Sequence, residues 1–212
     1  LFSFISDALK NNRKVHFLPP YRHDTMILLH KLLGTPFDGM NSNASEELIK
    51  AVVDMRSIKD DYEIAELDKA CDIGYIMHTT AMKLAQPGIT EREVAGALEG
   101  ISLSNGGVPS FPIILTVNGQ TLHNHYHGNV MQEGDLLLTD AGCETTMHYP
   151  SDHTRTIPVS GNYTDRQRDI YQIVLDANNL VHEITKPGIK NFDIHKKACE
   201  TIVNGLSGLG IM

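Results

Sequence analysis

The chain has 212 residues, 41% hydrophobic and 21% charged, with a formal net charge of −8. That length buries a core without disulfide or metal staples, and the acid excess excludes the basic patch that nucleic acid or an anionic membrane requires. Three widely spaced cysteines, Cys71, Cys143 and Cys199, with no C-x-x-C pair, exclude a disulfide framework or zinc knuckle and point to a cytoplasmic protein.

In chain order, residues 2–11 have the apolar spacing of a short amphipathic helix. They lack the pattern of a secretory signal and no Met precedes them, so the chain reads as beginning inside a longer protein. The stretch VHFLPP (15–20) predicts a strand stopped by Pro19-Pro20. RHDTMILLHKLLG (22–34) predicts a helix closed by Gly34, and the Gly-, Asn- and Ser-rich residues 34–45 predict a loop. A domain boundary is placed at residue 53. From Asp60 the texture becomes that of long helices, with Ile64, Leu67, Ala70, Cys71, Gly74, Met77 and Ala81 at helical spacing up to Pro87-Gly88. Thr90 and Glu93 form a capping box opening a second helix. FPIILTVNG, DLLLTDAG and HTRTIPVSG read as strands. A helix boxed by Thr164 and Gln167 follows, then a last helix capped by Asn191.

The Pro-Gly-Ile of residues 87–89 recurs at 187–189, each time between a long helix and a second helix. This echo predicts a duplicated unit. Strands follow the first copy, whereas the chain stops where the second copy's strands are expected. It reads as about half of a two-unit fold.

Two features carry candidate chemistry. TLHNHYHGN (121–129) places His123, His125 and His127 in five positions, which raises the question of a metal site. Asp140 ends the aliphatic strand LLLTD, and Asp152 opens the next strand. A carboxylate ending an apolar strand is costly to desolvate unless something positive meets it. If the two strands form a hairpin, the aspartates face one another and call for a cation between them. The competing reading makes each a turn cap or a partner of Arg155.

The text VNGQTLHNHYHGNVMQEGDLLLTDAGCETTMHYPSDHTRTIPVSGNYTDRQRDIY resembles the pita-bread metallopeptidases, in the aminopeptidase P and prolidase branch. DMRSIKDDYEIAELDKA and QPGITEREVAGALE resemble the entry helices of that catalytic domain. The resemblance implies an α+β pita-bread fold, incomplete, occupying residues 54–212. Residues 1–53 resemble the C-terminal part of the family's N-terminal α/β domain. It implies hydrolysis of Xaa-Pro bonds by two divalent ions, manganese in this branch, acting on a proline-containing peptide. By position, Asp140 and Asp152 match the family's two metal-binding aspartates. His123, seventeen positions before Asp140, matches the substrate-contacting histidine. Thr154 falls where a hydroxyl steadies the bridging carboxylate of Asp152 from behind. His125 and His127 become exposed or substrate-rim residues.

The chain departs from the pattern in two ways. Asp140 and Asp152 are twelve positions apart, one more than the family's usual spacing, and the extra residue is expected at the hairpin tip, residues 145–149. The remaining histidine and two glutamate ligands do not occur before Met212. The chain alone is therefore expected to hold no metal tightly and to lack activity. Exposed core would favour a homo-oligomer. Three rival readings share the fold: a methionine aminopeptidase, a metal-free creatinase-like hydrolase, and a non-catalytic binding protein. Retention of both aspartates weighs against the creatinase-like one. His78, His182 and His195 read as surface or core-edge groups on helices, and Cys143 as a small buried residue.

Overall fold

A computed structural model of the chain describes residues 1–212, which divide into two compact units, Leu1–Ile64 and Ala65–Met212. The boundary expected at residue 53 lies inside a helix. No helix is long and apolar enough to cross a membrane.

The first unit contains α1 (Phe2–Lys10), α2 (His23–Leu33), a 3-10 turn at Asn41–Asn43 and α3 (Glu46–Ser57). Gly34 ends α2 in the left-handed region at φ 69°, where a missing Cβ removes the steric cost. Ser45 opens α3 by accepting a bond from the Leu48 amide at 3.1 Å. The strand expected at residues 15–20 does not form. A strand needs a neighbour to ladder with, and here a single backbone bond serves, from the Ser45 amide to the Phe17 carbonyl at 2.9 Å.

α4 (Asp61–Leu84) runs across the division, and α5 (Glu91–Ser104), α6 (Asp165–Ile184) and α7 (Asn191–Gly208) follow in the second unit. Both Pro-Gly-Ile segments form the same turn. The Ile89 amide bonds the Gln86 carbonyl and the Ile189 amide the Lys186 carbonyl, each at 3.2 Å. Gly88 at φ 92° and Gly188 at φ 91° occupy the third turn position, which demands a positive φ after Pro. The repeated helix–turn–helix is thus a repeated physical object. Thr164 and Gln167 make the expected capping box. The last helix begins one residue earlier than expected: Asn191 is its first residue, and Lys190 precedes it without a side-chain cap.

Five short strands complete the unit: β1 (Val108–Pro109), β2 (Ile114–Thr116), β3 (Leu136–Ala141), β4 (Cys143–Glu144) and β5 (His153–Pro158). β3 is the centre of an antiparallel sheet ordered β2-β3-β5, and β4 pairs with β1. Along β3 burial alternates, with Leu137, Thr139 and Ala141 inside and Leu136, Leu138 and Asp140 on the more open face. The inside face joins Ile73, Met77 and Ala81 of α4 and Val94 and Leu98 of α5 in one apolar core. Each large side chain buried there contributes about 1.5–3 kcal/mol. The alternate face carries Asp140 at its far end, beyond Leu136 and Leu138.

β3 and β4 are one run of chain interrupted at Gly142. A Cβ at Gly142 would overlap the Ser151 carbonyl. Around it, the Ser110 amide bonds the Gly142 carbonyl at 3.0 Å, the Ser110 hydroxyl donates to the Ser151 carbonyl at 2.8 Å, and the Cys143 amide donates to the Ser151 hydroxyl at 3.1 Å. This knot fixes the residue immediately before Asp152. Gly142→Ala is predicted to lower stability by about 1–3 kcal/mol in urea denaturation, the usual range for overpacking. Gly96→Ala, a mid-helix position with open space around it, should instead be neutral or stabilising.

Candidate functional site

The β3–β5 register sets the geometry of the two aspartates. Asp140 stands directly across from Thr154, and Ala141 across from His153. Asp152 therefore sits on the same face as Asp140 but one rung diagonal to it, just before β5 begins, rather than directly opposite. Diagonal neighbours lie about 7–8 Å apart along the backbone, within reach of side chains. Their carboxyls are close enough to hydrogen-bond when one is protonated.

The electrostatics follow from that placement. Burial raises the Asp140 pKa above the ordinary carboxylate value. The Thr154 hydroxyl beside it draws the value back down, and the Asp152 charge pushes it up again. The Oδ1 atom of Asp140 is buried with no hydrogen-bond partner. A buried acceptor without a donor is costly, so this oxygen is available for a ligand at the expense of the empty chain's stability. Thr154 interacts with Asp140, its cross-strand neighbour, whereas spacing alone pointed to Asp152. Arg155 donates to the Thr154 carbonyl at 2.7 Å and forms no ion pair with either aspartate.

The ladder from Leu136 to Ala141 is continuous. The irregular backbone lies beyond it, at Gly142 and in the tip. There the Thr145 amide bonds the Tyr149 carbonyl at 3.0 Å, and His148 takes φ 65°. This is the three-residue hairpin loop whose last position turns left-handed.

The three histidines separate. His123 is exposed at φ 54° on the loop after β2 and makes no hydrogen bond. His125 is exposed, as expected. His127 is half-buried: its Nδ1 donates to the Leu115 carbonyl at 3.0 Å, tying the loop back to β2. Asn124 adds a second tie, donating to the Thr116 hydroxyl at 3.1 Å. The structure therefore joins Asp140, Asp152 and Thr154 on one face and places His123 on a separate, tethered loop.

His78, read from the sequence as a surface or core-edge group, is buried under the site. Its Nε2 lies 3.1 Å from the Ala141 carbonyl, which only accepts, so Nε2 carries the proton. Burial lowers its pKa, with the Ala141 bond opposing and His153 and Arg155 adding to the drop. Its ring meets that of His153 edge-on at 6.1 Å. One turn earlier, Gly74 lets Ser151 and His153 approach: a Cβ there would lie 2.9 Å from the Ser151 hydroxyl and 3.0 Å from the His153 ring. α4 thus pins β3 beside Asp140 and β5 beside Asp152. The sequence signal for His78 was its place on the stripe of Ala70, Gly74, Met77 and Ala81. Cys143 is buried, as expected, and receives a bond from the Ser102 hydroxyl at 3.2 Å.

Two carboxylates on one face, one with an unpartnered buried oxygen, are hard oxygen donors of the kind a divalent metal accepts. No cluster of three or more His, Cys, Asp or Glu side chains gathers in a metal-holding arrangement. The donor set fits a metal that takes its other ligands from elsewhere.

Residues 65–211 match metallopeptidase family M24, and the chain belongs to that family. A probable Xaa-Pro aminopeptidase of Coccidioides posadasii is 40% identical over 187 residues, covering 84% of this chain and 39% of the relative. The Xaa-Pro aminopeptidase of Escherichia coli K12 is 37% identical over 164 residues, covering 76% of this chain and 37% of its own. Among solved structures, a histidine-to-alanine variant of E. coli aminopeptidase P superposes at a TM-score of 0.82 with 30% identity, covering 99% of this chain and 50% of that one. E. coli aminopeptidase P with the inhibitor Pro-Leu gives 0.73 at 36% identity. The mixed helix-and-sheet architecture is the pita-bread fold of aminopeptidase P, and this chain spans about half of it or less.

The raised Asp140 pKa yields a stability prediction. A carboxyl whose folded pKa exceeds its unfolded value favours folding fully below the unfolded pKa, and that contribution is lost as pH rises through the folded pKa. Asp140→Asn does not titrate. In thermal melts between pH 3.5 and 7.5 the variant should gain on the parent as pH rises, and be the more stable near neutrality. A difference that shrinks with rising pH would contradict the assignment.

Proposed function

We propose that this chain supplies the first half of the catalytic domain of a dinuclear-metal peptidase that hydrolyses Xaa-Pro bonds. The observation that carries the reading is the juxtaposition of Asp140 and Asp152 on one sheet face, with the Asp140 Oδ1 unpartnered, in a member of family M24. Two bound divalent ions, manganese in this reading, would supply an activated water and polarise the scissile carbonyl. Asp140 and Asp152 would hold them from this half. The remaining histidine and two glutamates would come from a second half that the relatives' greater length accommodates.

Each residue has a distinct task in this scheme. Asp140 presents a desolvated carboxylate whose free oxygen needs no donor removed before it binds. Thr154 restrains that carboxylate by its hydroxyl, so that one orientation is preferred. Asp152, more exposed than Asp140, suits a shared ligand. His123, on its tethered loop, contacts the substrate near the scissile bond and orients it. The preference for Xaa-Pro over Met-Xaa peptides rests on the relatives, which are named Xaa-Pro aminopeptidases.

Residues 1–53 are proposed as the tail of an N-terminal α/β domain, and the protein as cytoplasmic, with no nucleic-acid or membrane partner. A homo-oligomer is the proposed state in solution. A groove of about 860 Å³ between β5 and α6, with Leu136, Tyr163, Ile170 and Val174 beside Arg155 and Arg166 in its lining, is one surface that such an association could cover.

Measured with manganese and an Xaa-Pro peptide, this chain alone should give no turnover, whereas a chain carrying the second half should hydrolyse the peptide. In the longer chain, Asp140→Asn and Asp152→Asn should each lower kcat/KM by about 100-fold or more, at or beyond the cost of losing an outer-shell partner. Turnover by this chain alone, or an active Asp152→Asn enzyme, would overturn the proposal.

A further inference from the structure

Glu91 is fully buried, the first residue of α5, and makes no ion pair with a lysine or arginine. A carboxylate in that position is costly unless hydrogen bonds replace its water. Here they do. Oε1 accepts from the Val117 amide at 2.8 Å and from the Asn129 side-chain amide at 3.0 Å. Oε2 accepts from the Asn129 backbone amide at 3.3 Å and from the same side-chain amide at 3.0 Å. The amide ends of α5 add a favourable field for the negative charge.

These partners lie at the two ends of one loop. Val117 is the first residue after β2, and Asn129 closes the stretch that carries His123. The exit is also zipped to the start of α5: the Glu91 amide bonds the Asn129 carbonyl at 3.0 Å, and the Met131 amide bonds the Ile89 carbonyl at 2.9 Å. The entry has no such backbone partner on α5, and the Glu91 carboxylate bonds it to that helix through the Val117 amide. Between the ends, the ties of Asn124 to Thr116 and of His127 to Leu115 fold the loop against β2.

We infer that Glu91 is a positioning residue: its buried carboxylate draws together both ends of residues 117–129 and so sets where His123 is held. The inference rests on the reading of His123 as a substrate contact. The charge, not the volume, is what the arrangement requires. Every contact to both oxygens comes from an N–H, so an isosteric glutamine, in either orientation, must turn its own N–H₂ toward a donor. No such orientation leaves all the bonds in place.

The test is hydrogen exchange of this chain, followed by peptide mass spectrometry, with Glu91→Gln and Asn129→Ala. Both variants should exchange residues 117–129 at least about tenfold faster than the parent, the factor for one charge-assisted bond lost, while α4 and β3 keep parent rates. Asn129→Ala provides the readout if Glu91→Gln does not fold. Loop exchange at the parent rate in a folded Glu91→Gln chain would overturn the inference, because a packing role alone survives an isosteric change. In a chain carrying the second half, Glu91→Gln should lower kcat/KM, and the Glu91→Gln, His123→Ala double variant should be no worse than His123→Ala alone. Additive losses would overturn the inference. A fully active His123→Ala enzyme would overturn the substrate-contact reading instead, with the exchange result still deciding the clamp.

Discussion

Two carboxylates that repel each other are held on one sheet face by the pairing of β3 with β5. The register that places Thr154 across from Asp140 also sets Asp152, just beyond the last paired residue, one rung away. The knot at Gly142 and Ser151 prevents the end of the hairpin from relaxing outward, since the Ser151 carbonyl occupies the space a Cβ would take. The energetic consequence is a folded state that carries an unpartnered buried oxygen and a raised carboxyl pKa. Both are costs to the empty chain.

The supports of this face come from the opposite side of the sheet. α4 contributes no ligand, yet His78 holds the Ala141 carbonyl and Gly74 admits Ser151 and His153. Core and site are therefore the same object seen from two faces: the alternation that buries Leu137, Thr139 and Ala141 against α4 and α5 presents Asp140 on the other side. The loop carrying His123 is fixed by different groups, through Thr116, Leu115 and Glu91. The aspartate face and the His123 loop can thus be perturbed separately.

Much of this was legible in the sequence where a local rule applied. Apart from α3, which no reading anticipated, the helices announced themselves by apolar period and by the Thr164–Gln167 box, and the repeated Pro-Gly-Ile proved to be the same turn twice, because Pro and Gly leave that backbone few alternatives. Asp140 and Asp152 were recognisable by their motif, but their diagonal relation was not, since register depends on pairing that spacing alone does not specify. The segment VHFLPP has strand composition and forms no strand, for want of a neighbour within its unit. His78 read as a surface or core-edge group, and nothing in the local sequence singles out Glu91. Their importance comes from distant partners, Ala141 in one case and Val117 with Asn129 in the other, and no local pattern carries that information.

The central claim is that Asp140 and Asp152 together form the hard-donor half of a divalent-metal site. Paramagnetic broadening of backbone amide signals in this chain by substoichiometric manganese tests it most directly, because even weak, transient occupancy is detected. The account predicts that signals around Asp140, Asp152 and Thr154 broaden first, and that Asp152→Asn removes the effect. Broadening centred on other acidic residues, such as Asp60 and Asp61, with the β3–β5 signals unchanged, would contradict it.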